Sequence, residues 1–335
     1  MSLGCAEVQA LLPAGERCLA VEPLAGDGSA RRYYRVRTAA GSYALCVGPD
    51  AEENAAVVRL SAHLGARGVP VPRVHARDVA RGWLLQDDLG DRNLLAARRE
   101  CRGDTELVSL YRPVLEVLVR LQVDAAAGYE PHTGHFHGPY DAGLMAAEEG
   151  RYFAEEFAAG LCGLPVPAAY FDQVERLAAE GARAPAGFLL HRDFQSRNIH
   201  LTPAGPAVID FQGCRPGPLA YDVAALLLDP YAALPAAARE YLLVEYRALL
   251  AGRGIAPEAF DAGWSAVGAF RLLQALGAFA KLGGRFGKPG FLEHAATGLE
   301  HLLAHLGERG RRRYPAVADL VAAARDAWAA SPRRP

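Results

Sequence analysis

Lysine is almost absent from this chain. Its only lysines are Lys281 and Lys288, so the other members of its 36 basic side chains are arginines. These are balanced by 38 aspartate and glutamate residues, which gives a formal net charge of −2 at pH 7. Nucleic acids and anionic membranes are bound through strongly basic surfaces. The charge balance therefore gives no reason to expect either partner.

Closely spaced cysteine pairs are also missing. No C-x-x-C motif occurs, and the six cysteines are scattered over positions Cys5, Cys18, Cys46, Cys101, Cys162 and Cys214. In a chain of this length such spacing is typical of free thiols in a reducing compartment. It predicts neither a disulfide framework nor a zinc site.

Long apolar runs are absent as well. The first residues lack the basic and apolar regions of a signal peptide, and no run is long enough to span a bilayer. The composition, 51% hydrophobic and 22% charged, is ordinary for a soluble globular protein. We therefore expect a cytoplasmic protein without a membrane partner.

The length of 335 residues exceeds what one hydrophobic core usually serves, so we expect two lobes. Residues 1–90 are rich in predicted strands, at 18–24, 31–37 and 42–47, with a last strand and a turn over 83–90 and one main helix at 51–66. In that helix Ala55, Val58 and Ala62 recur at helical spacing and predict its apolar face. Residues 91–335 are mostly helical. The predicted fold class is α+β, with a boundary near residue 90.

Two polar clusters interrupt the helical part, and short apolar stretches flank each of them. The first contains Asp193 and, five residues later, Asn198; the second contains Asp210, twelve residues beyond the asparagine. A base for an acceptor hydroxyl and two oxygen ligands for a hard cation are what metal-assisted phosphoryl transfer requires. Taken singly, Asp193 and Asn198 are equally typical of turns with local hydrogen bonds. Their joint pattern, H-x-D-x-x-x-x-N followed by I-D-F, favours the catalytic interpretation.

These motifs resemble a known family. His191-Arg192-Asp193, Asn198 and Ile209-Asp210-Phe211 are similar to the catalytic and metal-binding motifs of the aminoglycoside phosphotransferase and choline kinase superfamily, which shares the protein-kinase fold. The finer resemblance is to the bacterial N-acetylmuramate/N-acetylglucosamine anomeric sugar kinases. The segments that carry it are Ser29–Arg35, Leu84–Gly90, His191–Asn198 and Gly217–Ala224.

The resemblance implies a protein-kinase-like fold with a small antiparallel sheet lobe for ATP and a larger helical lobe for the acceptor. It implies that Asp193 is the catalytic base and that Asn198 and Asp210 bind Mg²⁺. His191 and Asp222 would support the catalytic loop, although Asp222 is equally well explained as a helix N-terminal carboxylate. The expected ATP contacts are a turn with Gly26, Gly28 and Ser29, and a hinge with Gln86, Asp88 and Leu89, whose backbone meets adenine.

One departure from the kinase pattern concerns the phosphate-binding lysine of the third strand. Alignment of Tyr43–Cys46 with that strand places Cys46 at the lysine position. Arg31, Arg32, Arg35 and Arg37 lie on the neighbouring strand, and arginine binds phosphate in a bidentate manner. Alternation places Arg32 on the face opposite Tyr33, so we predict that Arg32 replaces the lysine. A solvated cationic strand edge is the alternative.

Acceptor recognition is expected in the helical lobe. Glu149 belongs to an acidic-aromatic segment that resembles the sugar-kinase branch, and is predicted to accept hydrogen bonds from sugar hydroxyls; an exposed helix acid is the alternative. Arg197, beside Asn198, is predicted to contact phosphate or a substrate carboxylate, or to brace the loop.

The expected activity is ATP- and Mg²⁺-dependent phosphorylation of a hydroxyl on a small polar molecule. An amino sugar or hexose is the first candidate, and an anomeric hydroxyl would give a sugar 1-phosphate for cell-wall recycling. The acid-rich run Glu148, Glu149, Glu155 and Glu156 leaves an aminoglycoside-type antibiotic phosphotransferase open. The missing lysine leaves a regulatory, nucleotide-binding pseudokinase open.

Overall fold

The computed structural model describes residues 3–24 and 31–331 of the chain. Within them a five-stranded antiparallel sheet precedes a mostly helical part, and two small two-stranded sheets lie inside that part. The predicted α+β class, with a small sheet lobe and a larger helical lobe, is confirmed. The described residues contain no helix long and apolar enough to cross a membrane.

The large sheet has the strand order β1-β2-β3-β5-β4, with every neighbouring pair antiparallel. Its strands are β1 (Cys18–Leu24), β2 (Arg32–Thr38), β3 (Ser42–Val47), β4 (Val74–Asp78) and β5 (Trp83–Asp87). Sequence patterns predicted all of these except β4. That strand has only one β-branched residue, Val74, and its pairing with β5 rather than its own propensity makes it a strand.

The two faces of the sheet differ in what covers them. Tyr34, Val36 and Leu45 pack with Val8 of the first helix, α1 (Cys5–Val8), in a small separate core. Tyr33, Cys46 and Leu84 point to the other face and join the main core of the protein. The second face is therefore the one turned toward the helical lobe.

Packing of α1 on β1 brings two cysteines together. Cys5 and Cys18 form a disulfide with a Cα–Cα distance of 5.3 Å across a sequence separation of 13 residues. The prediction that all cysteines are free was wrong for this pair, while Cys46, Cys101, Cys162 and Cys214 are free. The pairing depends on how α1 folds back onto the sheet, and the scattered spacing carries no signal of it.

The helix α2 (Ala51–Ala66) begins at Asp50, whose side chain accepts a hydrogen bond from Glu53 N at 2.8 Å. The predicted buried face was wrong, because Ala62 is exposed and Ala55 and Val58 are only partly buried. The buried apolar side chains of α2 are Ala56, Val57, Leu60 and Leu64. The two leucines bury more apolar surface than the alanines, and this larger gain decides which side faces the core.

Nine further helices build the described part of the helical lobe. They are α3 (Leu94–Glu100), α4 (Asp104–Val119), α5 (Ala142–Leu144), α6 (Ala168–Gly181), α7 (Ala220–Leu227), α8 (Ala236–Ala251), α9 (Glu258–Phe279), α10 (Ala295–Arg313) and α11 (Pro315–Ala329). A π-helical segment extends α5, and a second one, Phe153–Leu161, follows it. The helix α9 is buried around most of its circumference and packs against α7 and α10, so it is the centre of this lobe.

The predicted polar clusters lie between short strands at one end of this helical core. The strand β6 (Phe188–Leu190) pairs with β9 (Arg215–Gly217), and β7 (Ile199–Thr202) pairs with β8 (Gly205–Val208). The first cluster connects β6 to β7, and the second connects β8 to β9. The two pairings therefore hold both clusters side by side.

Candidate active site

The buried carboxylate of Asp222 holds the backbone of the loop after β6. Asp222, near the start of α7, accepts hydrogen bonds from His191 N at 2.7 Å and Arg192 N at 2.9 Å. Burial raises the pKa of Asp222 to about 7, although the two N–H donors act to lower it. Arg192 has a left-handed backbone, with φ of 77°, which costs free energy unless its surroundings hold it. Asp222 supplies that restraint.

His191 fixes the backbone around the next acidic residue. Its Nδ1 accepts from Asp193 N at 3.2 Å, and its Nε2 lies 3.1 Å from Ile209 O. A ring that accepts at Nδ1 must carry its hydrogen on Nε2, where the carbonyl of Ile209 accepts it. Burial lowers the pKa of His191 to about 4, so the ring is neutral at physiological pH. The imidazole thus joins the two polar clusters.

The two polar clusters and the sheet face that carries Cys46 border a space that we call the cleft. The carboxylate of Asp193 lies at this border, with 47% of its side chain exposed. Its Oδ1 lies 3.9 Å from Nη2 of Arg271, a buried residue of α9 whose Nη1 donates to Gln274 Oε1 at 2.9 Å. Sequence reasoning missed Arg271. The available signal was a charged residue within a helix that is apolar around most of its circumference.

Asn198 and Asp210 lie side by side, because Ile209 N donates to Asn198 O at 3.0 Å. The Asn198 Nδ2 donates to Asp193 O at 3.0 Å, which leaves its amide oxygen as the available acceptor. Asp210 has a left-handed backbone, with φ of 66°, and accepts from Gln212 Nε2 at 2.8 Å. Its side chain is accessible within the cleft, where desolvation by the surrounding protein and the charge of Asp193 raise its pKa.

The placement of Asn198 and Asp210 suits a cation whose coordination shell is completed by ligands from outside the chain. No group of three or more histidine, cysteine, aspartate or glutamate side chains within residues 3–24 and 31–331 is placed to hold a metal by itself. One carboxylate and one amide oxygen are, however, a typical protein contribution to a Mg²⁺ site that phosphate oxygens complete.

Arg31, rather than Arg32, occupies the place expected for the missing lysine. Its Nε lies 3.3 Å from Oε2 of Glu53, and Nη2 lies 3.4 Å from Oδ1 of Asn54; the side chain is 3% exposed. Arg31 adjoins Tyr33 and Cys46 on the sheet face turned toward the helical lobe. The selection of Arg32 is corrected, because that residue is exposed on the opposite face. Alternation placed the two arginines on opposite faces correctly, and the face of Arg31 is the one turned toward the helical lobe.

The other two arginines of this strand have acidic partners. Arg35 binds Asp88 in a bidentate manner, at 2.6 and 3.1 Å, and also Asp91 at 2.9 and 3.0 Å. Arg37 binds the exposed Glu22 at 3.0 Å. Burial alone would raise the pKa of Asp88. Hydrogen bonds from Arg35 and Ser42 outweigh this effect, so the pKa lies below its usual range. The Asp88 side chain is therefore a bracing group at the end of the sheet.

The predicted hinge is the segment that joins the sheet to α3. Gln86 is buried in β5, between Ala44 and Val74. The chain leaves the sheet after Asp87, passes through the partly buried Leu89, and enters α3 at its cap Asn93. The predicted phosphate turn, with Gly26, Gly28 and Ser29, lies outside the described residues.

Gln212 links the two halves of the cleft. Its Nε2 donates both to Asp210 Oδ1, at 2.8 Å, and to Glu53 Oε1, at 3.2 Å. Because Glu53 also pairs with Arg31, a continuous polar chain runs from the sheet cation to the carboxylate of Asp210. The sequence analysis did not single out Gln212, whose two partners lie on different lobes.

Glu149 does not face the cleft. It is completely buried, and its two oxygens accept hydrogen bonds from Tyr140 OH and from Tyr221 OH. Arg192 Nη2 lies 3.6 Å from Oε1, and burial raises the Glu149 pKa. The prediction that Glu149 accepts hydrogen bonds from sugar hydroxyls is corrected. The Glu149 carboxylate lies beside Arg192 and positions that side chain. Its acidic-aromatic setting is equally typical of a buried network.

Arg197 lies over aromatic rings, with its guanidinium carbon 4.8 Å from the Tyr231 ring centroid and 5.6 Å from that of Phe291. Its neighbour Ser196 is anchored by Asp229, which accepts from Ser196 N at 2.9 Å and Ser196 Oγ at 2.5 Å. A contact of Arg197 with substrate stays a prediction.

Comparison with known proteins supports a phosphotransferase. The profile of the phosphotransferase enzyme family matches residues 20–260. The N-acetylmuramate/N-acetylglucosamine kinase of Pseudomonas putida is 30% identical over 309 residues, which cover 89% of this chain and 86% of that protein. The protein of the same name from Neisseria meningitidis serogroup B is 30% identical over 307 residues, covering 89% and 87% of the two chains.

Solved structures share the fold. A choline/ethanolamine kinase family protein from Mesorhizobium loti superposes with a TM-score of 0.61 at 18% identity and covers 93% of this chain and 97% of its own. An aminoglycoside phosphotransferase in a ternary complex with ADP and hygromycin B gives a TM-score of 0.60 at 16% identity, with coverage of 91% and 98%. At these identities the likeness extends to the fold alone.

Proposed function

This chain belongs to the phosphotransferase enzyme family, and on that premise we propose that it transfers the γ-phosphoryl group of ATP to a hydroxyl of an N-acetylated amino sugar. The observation that carries the proposal is the cleft itself. It combines a partly exposed carboxylate at Asp193, oxygen ligands at Asn198 and Asp210, and a buried cation at Arg31. The division of labour between a sheet lobe for ATP and a helical lobe for the acceptor is part of this proposal.

The acceptor class follows from the relatives. Proteins named N-acetylmuramate/N-acetylglucosamine kinase align along 89% of this chain, so residues of both lobes are matched. We assign the same two sugars as acceptors, with the anomeric hydroxyl as the reacting group and a sugar 1-phosphate as product. Such a product suits the recycling of cell-wall sugars.

Asp193 would act on the acceptor hydroxyl. As the new bond forms between the acceptor oxygen and the γ-phosphorus, the bond from that phosphorus to the β,γ-bridging oxygen breaks and ADP leaves. The hydroxyl proton passes to the Asp193 carboxylate. His191 holds the backbone of Asp193, and Arg271 lies close enough to orient its Oδ1. These contacts fix the base before the acceptor arrives.

Asn198 and Asp210 would hold the divalent ion that accompanies ATP. When bound, Mg²⁺ neutralises charge on the phosphate oxygens. Within the chain, Gln212 restrains the Asp210 carboxylate through Oδ1. The amide oxygen of Asn198 stays available because Nδ2 is engaged by Asp193 O. The pair is thereby preorganised for an oxygen-coordinated cation.

Arg31 would meet the phosphates in place of the usual lysine. Its guanidinium stays charged when buried, and Glu53 and Asn54 hold it from one side. The backbone of the segment from Gln86 to Leu89 would contact adenine, and the turn with Gly26, Gly28 and Ser29 would cover the phosphates.

The proposed function is tested by ADP release with Mg²⁺ and ATP. The panel contains N-acetylmuramate, N-acetylglucosamine, glucose, choline and an aminoglycoside. We expect turnover with the two N-acetylated sugars, and a product that retains no reducing end. Turnover confined to the aminoglycoside or to choline would refute the sugar assignment. ATP binding without turnover on any acceptor would favour a pseudokinase.

Arg31 and Arg32 offer a matched pair of variants for the phosphate contact. We expect Arg31→Gln to raise the KM for ATP by about 10–100-fold, because a charge-assisted hydrogen bond contributes roughly 1.5–3 kcal/mol. Arg32→Gln removes an exposed arginine on the opposite face and should change that KM by less than about threefold. Initial rates at varied ATP concentration measure both. Equal effects of the two substitutions would contradict the assignment.

A further inference from the structure

A buried arginine, Arg215, lies near the catalytic loop and forms no ion pair within the described part of the chain. Arg215, the first residue of β9, is 5% exposed, and its Nε is buried without a hydrogen-bond partner. Across residues 3–24 and 31–331, no carboxylate lies within ion-pair distance of its guanidinium. Burial and the neighbouring Arg192 lower its pKa. A buried cation that lacks a counter-charge is costly, and such groups are normally paired.

A second arginine, Arg192, and the ring of Phe136 lie beside Arg215. The guanidinium carbons of Arg215 and Arg192 lie 5.3 and 5.9 Å from the centroid of the same Phe136 ring. The Nε of Arg192 is likewise buried without a hydrogen-bond partner. Phe136 itself is 46% exposed, so both guanidinium groups lie close to a ring that reaches the surface. We call this set, Arg192, Arg215 and Phe136, the arginine pair site.

Of the three arginines around the site, Arg215 is the one that has no carboxylate partner in the described residues. Arg192 has Glu149 at 3.6 Å, and Arg271, which shares the Tyr221 ring with Arg192, has Asp193 at 3.9 Å. Arg215 has no such partner in the described part of the chain. The Nε of each of the two guanidinium groups has no hydrogen-bond partner in the described part of the chain, and the planar fork of an arginine matches the bidentate geometry of a carboxylate.

We propose that the arginine pair site binds a carboxylate on the acceptor sugar and thereby favours the acidic N-acetylhexosamine over the neutral one. Arg192 is the residue before Asp193, and its guanidinium shares the Tyr221 ring with Arg271, which lies 3.9 Å from the Asp193 carboxylate. An anion held by Arg192 and Arg215 would therefore lie beside the loop that carries the catalytic carboxylate. Of the two sugars in the relatives' names, N-acetylmuramate carries a carboxylate and N-acetylglucosamine does not. The inference rests on the proposed function for the identity of the acceptor.

The test compares both sugars in wild type and in Arg215→Gln. We expect the variant to lose about 10–100-fold in kcat/KM for N-acetylmuramate and less than about threefold for N-acetylglucosamine. Arg215 touches neither Asp193 nor the metal ligands, so the neutral sugar reports the intact catalytic machinery. Arg247→Gln is the matched control, because Arg247 also lies over a ring, Phe260 at 5.2 Å, but has its own partner in Asp261.

Equal losses on both sugars would show a purely structural role for Arg215 and overturn the inference, as would unchanged kinetics on both. Activation of N-acetylglucosamine turnover by inorganic phosphate, in wild type but not in Arg215→Gln, would assign the site to a free anion instead. If wild type phosphorylates neither sugar, the proposed function fails by itself. In that case, calorimetric titration with N-acetylmuramate tests the arginine pair site. Equal affinity of wild type and Arg215→Gln for this sugar would overturn the inference.

Discussion

Replacing Asp193 by asparagine is expected to lower kcat by about 10²–10⁴-fold, the usual contribution of a positioned general base. Asparagine has nearly the same size and shape but cannot take the proton of the acceptor hydroxyl. The backbone contacts of the position are unaffected, because His191 and Asn198 bind the main chain of Asp193 and not its carboxylate. The effect should therefore appear in kcat and leave the KM for ATP within about threefold.

Steady-state rates with the best acceptor, together with thermal unfolding of both proteins, test this expectation. The Asp193 side chain is half exposed and its contact with the buried Arg271 is long, at 3.9 Å, so we expect the loss of this pair to change stability by no more than about 1 kcal/mol. Asp172→Asn, a substitution in α6 outside the cleft, is a matched control and should retain full activity. A variant at position 193 whose kcat lies within threefold of wild type would show that another group accepts the proton.

Replacing Asp222 by alanine is expected to destabilise the protein by about 2–6 kcal/mol, because two buried N–H donors lose their acceptor at about 1–3 kcal/mol each. These donors belong to His191 and to Arg192, whose left-handed backbone depends on the same carboxylate. The loop that carries Asp193 should then relax, so activity is lost along with stability.

Denaturant unfolding, compared through the midpoint and the slope, measures the change in the free energy of unfolding. Asp261→Ala is the control, since Asp261 pairs with Arg247 at the surface and such a pair contributes about 0–1 kcal/mol. If Asp222→Ala and Asp261→Ala unfolded at the same denaturant concentration, Asp222 would be an ordinary helix N-terminal carboxylate. That was the alternative that its position near the start of α7 left open.

Several features were predictable because they depend on neighbours along the chain. Asp193 and Asn198 share one loop, and Asp210 follows the next strand, so short-range geometry largely brings these three together. Strand and helix periods likewise located β1, β2, β3 and α2. The fold class followed from the order of strand-rich and helix-rich parts.

Other features depend on which face of an element meets the rest of the protein. Alternation separated Arg31 from Arg32 correctly, yet only the packing of Tyr33 and Cys46 shows that the face of Arg31 is turned inward. The same holds for α2, where leucines rather than alanines are buried. A periodic pattern defines two faces, and their environments are set by contacts between distant segments.

By itself, the sequence determined the chemistry that this protein carries: a base, two oxygen ligands for a cation, and an arginine-rich strand in a chain nearly free of lysine. Tertiary structure alone decided which arginine is buried beside Glu53, that Glu149 is enclosed by two tyrosines, and that Arg215 has no acidic partner among the residues that the structure describes. The reason is physical. The identity of a side chain is local, whereas its burial and its counter-charges depend on residues that are distant in sequence, and these set its electrostatic role.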